Sequence, residues 1–148
     1  MNHAAGTKSV AKHTASVAAT ATYTHTVDTL GYKYASIDVM FSPFTASNVT
    51  IANVLRVGES DTSVGTPTNI SGLVGGTDFT IAATGASTGA DIGAIARFNV
   101  DLRGRRRFLT VTVTPSTTVA VISNCRLSKG EVHATSSTEA NVNNVASV

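Results

Sequence analysis

The chain has 148 residues, of which 42% are hydrophobic, 5% aromatic and 14% charged, with no Trp and a formal net charge of +2. A chain of this length suits one domain and buries roughly 70% of its unfolded surface; its only cysteine, Cys125, excludes an intrachain disulfide. The small net charge argues against a nucleic-acid binder, no run approaches the roughly 18 apolar residues of a membrane helix, and the Ala/Thr-rich start lacks the apolar stretch of a secretory signal, so folding in a cytoplasm is expected.

Thr, Ser, Val and Ala fill much of the chain. Thr and Val favour strands because branching at Cβ suits a pleated surface, and a Thr-rich surface with little charge is expected to be covered by another chain. Residues 1–14 show no clear period and read as an N-terminal arm. Thr20, Thr22, Thr24 and Thr26 then alternate with Ala21, Tyr23, His25 and Val27, the two-residue period of a strand. After the turn Asp28-Thr29-Leu30-Gly31, Ala35, Ile37, Val39 and Phe41 mark a second strand that Pro43 ends. A third spans 49–57, with Ile51, Leu55 and Val57 on one face and closure at Gly58 to Asp61. Glycines interrupt residues 62–92, which predicts loops and short strands, Asp78 to Ile81 among them. Residues 93–102 and 108–114 flank a basic turn and read as a hairpin; Pro115 then leads into a last strand over 118–127 that holds Cys125, expected as a small buried hydrophobe. The domain is thus expected over 15–130, with 131–148 a C-terminal arm too polar to fold alone. At least six strands and no helical stripe predict an all-β, antiparallel β-sandwich, jelly-roll-like, with extended terminal arms.

Reactive constellations are missing. His3, His13, His25 and His133 are scattered without ligand spacing, so no metal is expected. Asp38 and Asp101 sit mid-strand, where pairing with Arg97 or Arg56 is their expected role. Glu59 and Asp61 flank Ser60 in a turn, where short polar groups cap backbone; Ser60 lacks the Gly-x-Ser-x-Gly elbow of a nucleophile. The Gly-rich pieces at 72–76 and 85–89 match no nucleotide fingerprint. The expectation is therefore no catalytic residue and no cofactor. Arg103, Arg105, Arg106 and Arg107 remain: four guanidinium groups at one tip, expected to repel one another, and either a docking spike for carboxylates or phosphates or a solvated turn that guards a sheet edge.

The segments Asp28 to Val39, Leu55 to Asp61 and Asp101 to Pro115 together resemble small structural proteins of tailed bacteriophage heads, the decoration or cement proteins, over about residues 23–130. The resemblance implies an all-β module on the outer capsid surface of the virion, made in the host cytoplasm. It also implies binding to the major capsid protein as a homo-oligomer, with a trimer favoured over a dimer. No membrane, nucleic acid, cofactor or enzymatic activity comes with it. In this reading the two arms reach neighbouring subunits and Arg103, Arg105, Arg106 and Arg107 meet acidic groups of the capsid. The competing reading is a glycan- or receptor-binding fibre module, since sandwiches host many of these.

Overall fold

A computed structural model describes residues 7–45, 48–84 and 93–128. They form eight strands: β1 (Lys8–Val17), β2 (Tyr23–Asp28), β3 (Tyr34–Phe41), β4 (Ala52–Ser60), β5 (Thr68–Val74), β6 (Ala94–Asp101), β7 (Phe108–Pro115) and β8 (Val119–Ser128). There is no helix among the described residues. One sheet has the order β1-β8-β3-β6 and the other β2-β7-β4-β5, with every pair antiparallel. Two four-stranded sheets in this order make the double Greek key of a jelly roll.

The alternation read in the sequence is the alternation of burial. In β3, Ala35, Ile37, Val39 and Phe41 point into the core, as do Tyr23, His25 and Val27 in β2. With Leu55, Val57, Leu109, Val111, Val113, Val121 and Leu127 they fill the space between the sheets, each fully buried aliphatic side chain contributing about 1.5–3 kcal/mol. The outer face of the second sheet explains the threonine content. Thr24 and Thr26 stand opposite Thr112 and Thr110, and hydroxyls bond across the ladder at Thr26–Thr110 (3.0 Å) and Thr22–Thr114 (3.3 Å).

Two expectations change. The strands on either side of the basic turn are not a hairpin, because β6 pairs with β3 in one sheet and β7 with β2 and β4 in the other. Residues 102–107 therefore bridge the roughly 10 Å between sheets. Alternation tells which face of a strand is buried but not which strand lies beside it. The segment read as an N-terminal arm holds most of β1, Lys8 to Thr14, paired with β8 from Lys8↔Leu127 onward. Its pattern is concealed because Lys8 and Lys12 occupy positions opposite the inward Leu127 and Ser123. Residues 1–6 and the predicted C-terminal arm, 131–148, lie outside the described residues. The third strand runs on through Gly58 to Ser60 as β4, β5 arises within the glycine-rich middle, and Phe79 makes only an isolated bridge to Gly75.

Candidate docking surface

The basic turn is closed by Gly104 at φ 77°, a left-handed conformation that suits glycine, and by a hydrogen bond from Arg105 N to Leu102 O. Its arginines do not stand unopposed, as the sequence suggested. Arg103 grips Asp101 (2.6 Å), Arg107 grips Asp28 (2.6 Å), Arg105 faces Glu59 (3.6 Å) and Arg106 faces Asp61 (3.7 Å). The Arg107 and Arg103 pairs are bidentate, and Glu59 also accepts the backbone N–H of Arg106. Hydrogen bonds from Arg107 hold the Asp28 carboxyl below its ordinary range, and those from Arg103 hold Asp101 at about 2. Each guanidinium thus has its own carboxylate, drawn from β2, β4, β6 and the β4–β5 turn. Mutual repulsion is offset within the chain.

Antiparallel order gathers more at this end. The turns β2–β3, β4–β5 and β6–β7 all lie here, tied by Thr29 N to Arg107 O, Leu102 N to Lys33 O and Lys33 N to Ser128 O. Tyr34 stands opposite both Asp101 and Ser128, and Lys8 opposite Leu127, so β1 begins and β8 finishes at the same end. Two exposed large apolar side chains, Leu30 (67%) and Val64 (94%), sit in its turns. This end therefore presents apolar tips, polarisable ion pairs and both exits of the described chain on one surface.

Of the other residues singled out in the sequence, Asp38 is held by Arg97 through two hydrogen bonds (2.6 and 2.9 Å), as expected of a cross-strand pair. Asp101 takes Arg103 rather than Arg97 or Arg56. Ser60 donates to Thr62 O. Asp78 organises the glycine-rich loop by accepting from Gly72 N and Val74 N. Cys125 is buried, and desolvation pushes its thiol up to about 12, so it is no nucleophile.

One cluster escaped the sequence. Between β2 and β8, His25 Nδ1 lies 2.5 Å from Ser123 Oγ, which lies 2.7 Å from Tyr23 OH, itself 2.8 Å from Lys12 O. A carbonyl only accepts, so Tyr23 donates to Lys12. Ser123 then donates to Tyr23, and the proton on His25 Nδ1 goes to Ser123. Ser123 is fully buried, which keeps any substrate away from this Ser–His pair; it is a polar link between the sheets. The partners are about a hundred residues apart in the chain, and no local spacing announces them. No His/Cys/Asp/Glu cluster among the described residues is arranged to hold a metal.

No protein-family model matches the chain, and no curated protein does. A solved structure from work on Bacillus endospore appendages, described as a novel family of disulfide-linked pili, is similar over 82% of this chain and 86% of that one, at 20% identity and a TM-score of 0.36. Likeness at that level carries no argument about this chain.

Proposed function

We infer that this chain is a structural, non-enzymatic subunit of a phage virion that decorates and cements the outer capsid shell. It docks end-on against the major capsid protein as a homo-oligomer, of which a trimer is the favoured form. The observation that carries the reading is the convergence at one end of the sandwich. The arginine turn, the exposed Leu30 and Val64, the start of β1 and the finish of β8 share a single surface. The choice of the major capsid protein as partner rests on the phage-head resemblance of residues 23–130.

The self-paired arginines refine how docking works. A tip already neutralised by Asp28, Glu59, Asp61 and Asp101 does not act as a bare positive spike. It offers guanidinium and carboxylate together, so it exchanges pairs with a partner surface of mixed sign and gains register rather than bulk attraction. Leu30 and Val64 supply the apolar contact, and repetition over a symmetric shell multiplies modest individual contacts.

The test is copy number in purified virions by quantitative mass spectrometry. Copies numbering in the hundreds support shell decoration. Absence from virions overturns the reading, and a handful of copies together with glycan or host-cell binding transfers the chain to the fibre-module reading.

A further inference from the structure

We propose that the free edge of β6, with the cleft beside it, receives residues 140–148 of a second copy of this chain as an added antiparallel strand. The proposal rests on the homo-oligomeric part of the function above and names the contact that would hold copies together.

The four sheet edges are not equivalent. β1 and β2 lie side by side and are stitched by Tyr23 OH to Lys12 O and by Lys12 Nζ to Thr24 O; β1 also carries a register break between Thr14 and Val17. β5 is broken by a register shift opposite Arg56–Gly58 and by Gly72 at φ 88°. Bulges, inward lysines and kinks are the devices that keep an edge from pairing with another chain. β6 has none of them. Its eight residues keep unbroken register with β3, from Tyr34↔Asp101 to Phe41↔Ala94, and its other side has no strand among the described residues. Ile95 on this edge is 68% exposed.

Beside the edge lies a cleft of about 380 Å³ whose lining mixes apolar residues, Leu55, Leu73, Phe79 and Phe98 among them, with Arg97 and Asn99 of β6. A strand added to β6 would send alternate side chains into it, the arrangement of β-strand addition, in which main-chain bonds give affinity and pockets give specificity. The C-terminal sequence has that pattern in small residues: in an added strand Ala140, Val142, Ala146 and Val148 would share one face with Asn144 between them, and Asn141, Asn143, Val145 and Ser147 the other. Direction agrees as well. β6 runs towards the arginine end and β8 finishes there, so a segment arriving from that end runs antiparallel to β6. Residues 129–139 supply a connection of up to about 36 Å when extended. Copies docked side by side by the same end raise the local concentration of such segments, which favours exchange between neighbours.

The experiment exploits the buried, inert Cys125. Chains carrying Asn99→Cys, on the exposed face of β6, are mixed with differently tagged chains carrying Asn141→Cys, Asn143→Cys or Ser147→Cys, oxidised mildly and resolved without reductant. In parallel, a chain ending at residue 139 is assayed for self-association and titrated with a labelled peptide of residues 140–148, circular dichroism confirming the sheet in each variant. The expected result is a cross-link between tagged copies at one or more tail positions, a loss of self-association of at least tenfold on truncation, and saturable peptide binding. Cross-linking found only within one chain, in a variant carrying both cysteines, overturns the second copy as donor. No cross-link and no peptide binding overturns the site. Shell decoration is read separately from virion copy number and survives either failure.

Discussion

His25 Nδ1 and Ser123 Oγ meet at 2.5 Å across the gap between the two sheets, linking β2 of one to β8 of the other inside the core. Burial, reinforced by the charge of Lys12, lowers the His25 pKa to about 4 from an ordinary 6.5. The unfolded chain therefore binds the extra proton first. Stability is complete above pH 6.5, falls as pH drops from 6.5 towards 4, and has no further contribution from this group below that. The loss reaches about 3 kcal/mol. Urea midpoints measured from pH 7 to pH 4 will show this slope, and His25→Gln, which keeps a donor for Ser123 without titrating, will flatten it.

Ser123→Ala removes the middle of the relay. The Nδ1 proton of His25 loses its acceptor and the Tyr23 oxygen its donor, both away from water. Unsatisfied buried groups cost about 1–3 kcal/mol each. Ser123→Ala should lower stability by at least the cost of one such group in chemical denaturation, whereas Tyr23→Phe, which leaves Ser123 free to turn its proton, should cost less.

Arg107 and Asp28 form a bidentate ion pair at the docking end, yet both are about half exposed. Such solvent-screened pairs contribute little to stability. Changing Arg105, Arg106 and Arg107 together to Ala should therefore shift the thermal midpoint by only a few degrees. Occupancy on purified capsids should fall, and its dependence on salt should weaken. Unchanged occupancy at low and high salt would remove the arginines from the docking surface.

Gly104 holds φ 77° with open space around the position of a Cβ. Gly104→Ala meets no clash, so its cost is the backbone term of a left-handed residue, about 1–2 kcal/mol. Thermal unfolding measures that cost, and an unchanged near-ultraviolet spectrum would show that the rest of the end is undisturbed.

Much of the architecture is local physics and was legible residue by residue. The alternation of Ala35, Ile37, Val39 and Phe41 determines a half-buried strand and its inward face, and a β-branched composition without a helical stripe determines an all-β chain. Cys125 reads as a buried hydrophobe and Asp38 as an outward strand carboxylate suited to an arginine across the ladder, Arg97 or Arg56, because both follow from strand periodicity. Pairing is another matter. That β6 and β7 part into different sheets, that Lys8 and Lys12 of β1 take the register of the inward Leu127 and Ser123, and that Arg105 and Arg107 find carboxylates as far off as Glu59 and Asp28 depend on contacts tens of residues apart. The same holds for the link from His25 to Ser123. A period of two determines a strand's faces from neighbours along the chain, while the neighbour across the ladder is chosen by the packing of the whole sandwich, and only that packing brought one end of the molecule together as a surface.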